Sequence, residues 1–183
     1  MNSLYRKLEL LANTAIILVV VLIAGALIRN HFMSTRQEAI AGIPVGSKIS
    51  LPDIDWAKND QTLILVLQKG CRFCKESAPF YQRLVRETAG YSNLQLVAAL
   101  PNTVNDSKQY LSDLGISLNE VRQVSLSSLG VEGTPSLILV DRAGKVAASW
   151  VGQLPPDKEA EVLKHFQVNN AANKLRETNF STN

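Results

Sequence analysis

An α/β domain with a central mixed β-sheet flanked by helices, preceded by a transmembrane helix, is the architecture to which three stretches of this 183-residue chain point. The run Leu63–Leu67 (LILVL) is short, continuous and rich in branched residues, as expected of a strand buried on both faces of a sheet. The stretch Gly130–Gly152 holds two further strand patterns around a turn sequence. Leu10–Ile28 is a run of 19 residues without a charge, long enough to cross a bilayer as a helix.

Taken in order, residues 1–9 form an expected cytoplasmic N-terminus and residues 10–29 the anchor. Ala24-Gly25-Ala26 has the small-x-small form of a signal-peptidase site, but Leu27 and Ile28 continue the apolar run beyond it, so an uncleaved anchor is expected. Arg6 and Lys7 before the span, against Arg29 and Arg36 after it, tilt the orientation slightly towards N-in. That orientation places the domain beyond the span at the plasma membrane, on its periplasmic or extracytoplasmic side. Residues 30–44 lack sustained periodicity and read as a tether. The domain is expected over residues 45–168, with a polar tail at 169–183.

Within the domain, Ile49–Trp56 reads as an edge strand and turn, because Pro52 argues against a central position, and Trp56 is expected in the core or sealing its edge. After the Leu63 strand, Phe80, Leu84 and Val85 recur at helical spacing in Glu76–Ala89, which Pro79 should kink near its start. Leu94–Leu100 is a buried strand closed by Pro101, and Asn105–Leu114 a helix stopped by Gly115. Ser136–Val140 and Lys145–Val151 are strands joined by Asp141-Arg142-Ala143-Gly144, whose residues suit a hairpin. Glu159, Val162, Leu163 and Phe166 give a terminal helix over Pro156–Phe166.

Composition narrows the function. A net charge of +3 with scattered basic residues carries no nucleic-acid stripe, so no nucleic-acid partner is expected. Both cysteines, Cys71 and Cys74, stand in one motif, which excludes a framework of structural disulfides. A helix starting at Cys71 puts both sulfurs on one side of its first turn, where they can form or break a single disulfide. The helix start, with Arg72 and Lys75 nearby, favours an anionic sulfur at Cys71, the expected nucleophile; Cys74, one turn inside, is the expected resolving thiol. No separate cofactor is needed beyond the redox-active pair Cys71–Cys74.

Together the strand, Cys71-Arg72-Phe73-Cys74, Pro79, Thr134-Pro135 and the hairpin ending in Trp150-Val151-Gly152 resemble the thioredoxin superfamily, most closely its membrane-anchored, extracytoplasmic TlpA/ResA-like thiol-disulfide oxidoreductases. The resemblance covers roughly residues 45–166. It implies a thioredoxin-like fold, a cis bond at Pro135 facing the disulfide, and a Thr134 backbone that hydrogen-bonds an incoming peptide. The 61 positions from Cys74 to Pro135 exceed the minimal thioredoxin spacing, and residues 102–124 are the expected insertion. Two departures bear on mechanism: Gly70 replaces the usual Trp before the motif, and the family's acidic positions fall on Leu65 and Ser77. Glu76 is the neighbouring carboxylate that could accept the proton of Cys74, against its reading as a solvated first-turn carboxylate. Phe73 reads equally as a docking surface or as cover for the disulfide.

The expected function is therefore thiol-disulfide exchange with exported proteins, in the reducing direction, with an electron-transfer partner in or beyond the membrane. The alternatives are a peroxide-reducing redoxin and a Cu/Zn-binding thioredoxin-like carrier. The first lacks the Pro-x-x-x-Thr-x-x-Cys signature, since Val66-Leu67-Gln68-Lys69-Gly70 precedes Cys71. The second finds soft ligands in the thiolates, but His31 and His165 lack ligand spacing, so no metal site is expected.

Overall fold

The computed structural model of the protein describes residues 16–19 and 42–167. The chain divides into two compact units, Met1–Ala39 and Ile40–Asn183. Of the expected anchor only Ile16–Val19 is described, four helical residues with exposed side chains. The remainder of that anchor, residues 1–9, residues 30–41 of the tether and the tail from 168 onward lie outside the described residues. Among the described residues no helix is long and apolar enough to cross a membrane.

The second unit is organised on one five-stranded sheet: β1 (Gln61–Val66), β2 (Leu94–Leu100), β3 (Glu120–Gln123), β4 (Ser136–Asp141) and β5 (Val146–Val151), in spatial order β3-β2-β1-β4-β5. The sheet is mixed, because β1, β2 and β3 run parallel while β4 and β5 join through an antiparallel hairpin. Central β1 sets Leu63 opposite Leu96 of β2 and Leu139 of β4. Alternation along each strand then divides the apolar residues between two cores. Leu63, Leu65, Ala98, Leu100, Leu137 and Leu139 face one; Ile64, Val66, Val97, Ala99, Ile138 and Val140 face the other.

Helices α1 (Arg72–Glu76), α2 (Ala78–Thr88), α3 (Val104–Asp113) and α4 (residues 156–167) contribute to the first core, through Cys74, Tyr81, Leu84, Leu111, Val162 and Phe166. Parallel strands need such crossovers, and β1-α2-β2 and β2-α3-β3 supply two in succession. The second core is closed by the segments around Ile49–Trp56 and Val124–Val131, which contain only short 3-10 turns. The expected insertion over residues 102–124 forms α3 and the edge strand β3.

Two local expectations shift, each for a physical reason. The active-site helix breaks at Ser77, two residues before Pro79. A proline cannot donate to the carbonyl four residues back and its ring crowds that carbonyl, so the chain turns first and Pro79 occupies the opening turn of α2, where no donor is needed. Ile49–Trp56 forms no edge strand; one bridge, Lys48 to Lys145, marks the approach, and Ile49 and Leu51 bury into the second core. Trp56 opens a 3-10 turn capped by Asp55 and lies so close over Gly144 that a Cβ there would sit 3.0 Å from its ring. Gly144, at φ +74°, therefore serves both the hairpin turn and the tryptophan.

Truncating the core should show which contacts carry stability. Leu139→Ala in β4, a fully buried position, is expected to cost about 2–5 kcal/mol in urea denaturation, and Thr103→Ala, which removes the α3 cap to the Asp106 N–H, about 1 kcal/mol.

Candidate functional site

The site forms where β1 ends and the chain must reverse into a helix. Gln68 O accepts from the Cys71 N–H at 3.1 Å, closing a four-residue turn whose third residue, Gly70, has φ +84°. A Cβ at Gly70 would have free space around it, so the dihedral, not crowding, selects glycine. Cys71 is the N-cap of α1, and its sulfur takes the role that Ser or Asp oxygen plays at other caps. The Cys74 N–H donates to Cys71 Sγ at 3.1 Å, and the Cys71 thiol donates to the Thr134 carbonyl at 3.4 Å. The same amide that caps the helix is placed to stabilise negative charge on sulfur.

Thr134 arrives from 63 positions away, on the loop into β4. The Thr134–Pro135 bond is cis. Ser136 Oγ donates to Gly133 O at 2.7 Å and the Gly152 N–H donates to Pro135 O at 2.7 Å, so the loop is held at both ends. Pro135 is buried and Thr134 half-buried.

The two cysteines are free thiols with opposite access: Cys71 is half-buried and Cys74 fully buried. Burial pushes the Cys74 thiol up to about 12, reinforced by its hydrogen bond with Cys71, while weaker interactions with the Gln68 backbone and Thr134 pull the other way. At neutral pH such a thiol is held protonated. One sulfur is thus open to attack a substrate, and the other is sealed behind it and protonated.

The outer face of α1 carries the remaining candidates. Phe73 is 48% exposed, a large apolar side chain beside Cys71. Arg72 projects into solvent and binds Glu76 at 2.7 Å, so the guanidinium is directed to a carboxylate and the carboxylate to a guanidinium. Glu76 stands exposed on this outer face, whereas Cys74 is buried on the inner one. Cys71, Cys74 and the Thr134–Pro135 loop come together, while Arg72, Phe73 and Glu76 stand exposed on α1. Among the described residues no group of three His, Cys, Asp or Glu side chains is placed to hold a metal ion.

Tyr81 and Tyr110, which pack in or against the core cluster that holds Cys74, escaped the sequence reading, and Ser77 entered it only as a departure from an acidic family position. Ser77 and Tyr81 lie one and two helical turns beyond Cys74, a spacing that signals a shared face. Tyr110 of α3 carries no local signal. Burial raises both phenols, and the two cysteines add to the effect; Tyr110 reaches about 12.

These shifts make stability depend on pH. Cys74 moves from near 9 to about 12 on folding, so its contribution is complete below about pH 9 and is lost as pH rises towards 12. The unfolded chain binds fewer protons in that window, and stability should fall by at most about 1.4 kcal/mol per pH unit for this thiol. The phenols act in the same sense above about pH 10. Urea denaturation of the reduced protein at several values from pH 7 to 10.5 should show this decline, and Cys74→Ala should flatten its first part.

A family model described as a thioredoxin-like domain matches residues 56–167, from the 3-10 turn at Trp56 through α4. Among solved structures, a Chlorobium tepidum protein assigned as the thiol:disulfide interchange protein DsbE aligns with a TM-score of 0.53 at 23% identity, over 70% of this chain and 98% of its own. A thioredoxin-family thiol:disulfide interchange protein from Chlorobium tepidum TLS aligns with a TM-score of 0.50 at 14% identity, over 68% of this chain and 98% of its own. At these identities the likeness is one of fold. No curated protein matches the sequence. With the family model spanning well over half of its residues and a Cys-x-x-Cys pair capping the helix after the central strand, the chain belongs to the thioredoxin-like domain family.

Proposed function

We propose that the protein is a thiol-disulfide oxidoreductase whose substrates are exported proteins and whose working direction is reduction. The observation that carries this reading is the unequal access of two sulfurs in one helical turn, with Cys71 half-buried and accepting the Cys74 N–H at 3.1 Å while Cys74 is fully buried. Cys71 attacks a substrate disulfide, one substrate sulfur leaves, and a mixed disulfide forms. Cys74 then attacks Cys71 Sγ, releases the second substrate sulfur and leaves the Cys71–Cys74 disulfide. A substrate strand entering over Phe73 would meet the Thr134 backbone on the far side of Cys71, which supports a peptide rather than a small peroxide as the partner.

The reducing direction is supported by the surroundings of Cys71. A strongly oxidising pair needs a heavily stabilised thiolate. Here the Arg72 guanidinium is engaged by Glu76. The TlpA/ResA-like placement, with the domain on the extracytoplasmic side and an electron-transfer partner at the membrane, is supported by the uncharged run Leu10–Ile28 and the exposed apolar side chains of its helical residues Ile16–Val19.

Two measurements on the full-length protein test this. Cys74→Ser should accumulate a covalent adduct at Cys71 with a disulfide substrate, and Cys71→Ser should bring turnover to the uncatalysed level, both read by intact mass and thiol release. Equilibration in thiol buffers should place the pair near thioredoxin's roughly −270 mV; a value near −120 mV would reverse the assigned direction.

A further inference from the structure

If the protein works by thiol-disulfide exchange, on which this inference rests, the surface around Cys71 decides which disulfides approach it most readily. Charge on that surface is uneven. From Lys69 to Glu76 the chain carries three cations, Lys69, Arg72 and Lys75, against one carboxylate. Arg72 and Glu76 bind each other at 2.7 Å, so their charges largely cancel. Lys69 and Lys75 are exposed, and neither enters a salt bridge among the described residues. Both are tied closely to the backbone of the reactive residue. Lys69 sits inside the turn that Gln68 O closes with the Cys71 N–H at 3.1 Å, and the Lys75 N–H donates to Cys71 O at 3.3 Å, one helical turn on.

The other elements at this end of the sheet add little opposing charge. β1, β2, β3 and β5 all finish at the Cys71 end, and β4 begins there. The segments after β2, β3 and β5, residues 101–103, 124–128 and 152–155, hold no charged side chain. The loop into β4 holds one, Glu132, which lines a small hollow with Ile43, Ser149 and Val151 on the β5 side. The first turns of α3 and α4 bring Asp106, bound by Thr103 Oγ1 at 2.7 Å, and Asp157, which acts on the adjacent Lys158. Exposed charges more than about 8 Å apart are largely screened at physiological ionic strength, so the two lysines nearest Cys71 set the sign of the local field.

We infer that Lys69 and Lys75 are specificity-determining residues that select disulfides lying in acidic polypeptide segments. A segment with carboxylates on either side of its half-cystine meets opposite charge as it passes Cys71, and a basic one meets like charge. The selection acts on approach and on the first exchange. Cys71 Sγ bonds to one substrate sulfur, the substrate S–S bond breaks, and the other sulfur leaves with the electron pair as a thiolate. The resolving attack by buried Cys74 lies behind this surface.

The test follows formation of the Cys71–peptide mixed disulfide on full-length Cys74→Ser protein at pH 7, by intact mass after acid quenching. Three peptide disulfides are compared, alike except that each cysteine is flanked on both sides by Asp, by Asn or by Lys. Each rate is divided by that of the same peptide with mercaptoethanol, which removes differences in leaving-group reactivity. At low ionic strength the Asp peptide should react at least about fivefold faster than the Asn peptide and the Lys peptide more slowly still, and salt at about 0.5 M should bring all three within about twofold. Lys69→Gln with Lys75→Gln should abolish the ordering. Lys48→Gln with Lys145→Gln, which removes equal charge from the bridge at the hairpin end of the sheet, should keep it. All four lysines are exposed, so these substitutions leave the fold intact. Lysines that served only the Cys71 sulfur would shift all three rates by one factor. Asp and Asn peptides within about twofold of each other at low salt, an ordering that survives Lys69→Gln with Lys75→Gln, or its equal loss in the hairpin-end variant overturns the inference. No adduct with any of the peptides would overturn the oxidoreductase reading itself.

Discussion

β1 is sealed from water along nearly its whole length, and the rest of the domain is arranged by that burial. A strand with no solvent face must pair on both edges and be covered on both sides. β2 and β4 supply the edges, helices the first side, and the segments around Ile49–Trp56 and Val124–Val131 the second. Its end is consequently a fixed point. The turn at Gln68–Cys71 starts from a strand that cannot shift in register without turning Leu63 and Leu65 out of one core and Ile64 and Val66 out of the other.

From that fixed point the two cysteines inherit different environments. As N-cap, Cys71 stands at the mouth of the helix with a backbone N–H directed at its sulfur. Cys74, one turn on, points into the core formed by Leu65, Tyr81 and their neighbours. The three-residue spacing alone would put both sulfurs on one side of a helix; the difference in burial comes from the packing beneath them. The same packing explains the chemistry around Cys74, since a core that excludes water also raises the thiol and disfavours any charged proton acceptor. Ser77 and the two tyrosines are polar groups that such a core tolerates.

Many of these elements are legible in the chain itself, and the misses have a pattern. Leu94–Leu100 is a strand with the expected bounds, the hairpin at Asp141–Gly144 turns where its residues suggest, and α3, α4 and the central strand match to within two residues. These elements announce themselves through periodicity and punctuation in neighbouring residues. Ile49–Trp56 forms no edge strand because its partner is a tertiary matter: Ile49 and Leu51 gain more by covering the second core than by extending the sheet. β3 escapes notice because EVRQ is short and charged, as suits an exposed edge strand, and its one apolar residue gives no pattern.

The Cys-x-x-Cys pair, the proline that ends α1 and the glycine that releases β1 are local statements, readable because each acts on its own backbone within a turn or two. They suffice to say that a redox-capable pair caps a helix behind a buried strand. Which carbonyl faces Cys71, which phenols share the core of Cys74, and whether Glu76 points inwards or out were decided only by assembly. Thr134 lies 63 positions from Cys71, Tyr110 belongs to another crossover, and Glu76 found its partner in Arg72 on the solvent side. Contacts between residues distant in sequence leave no periodic trace in either segment, so they exist only once the sheet has set its order and register.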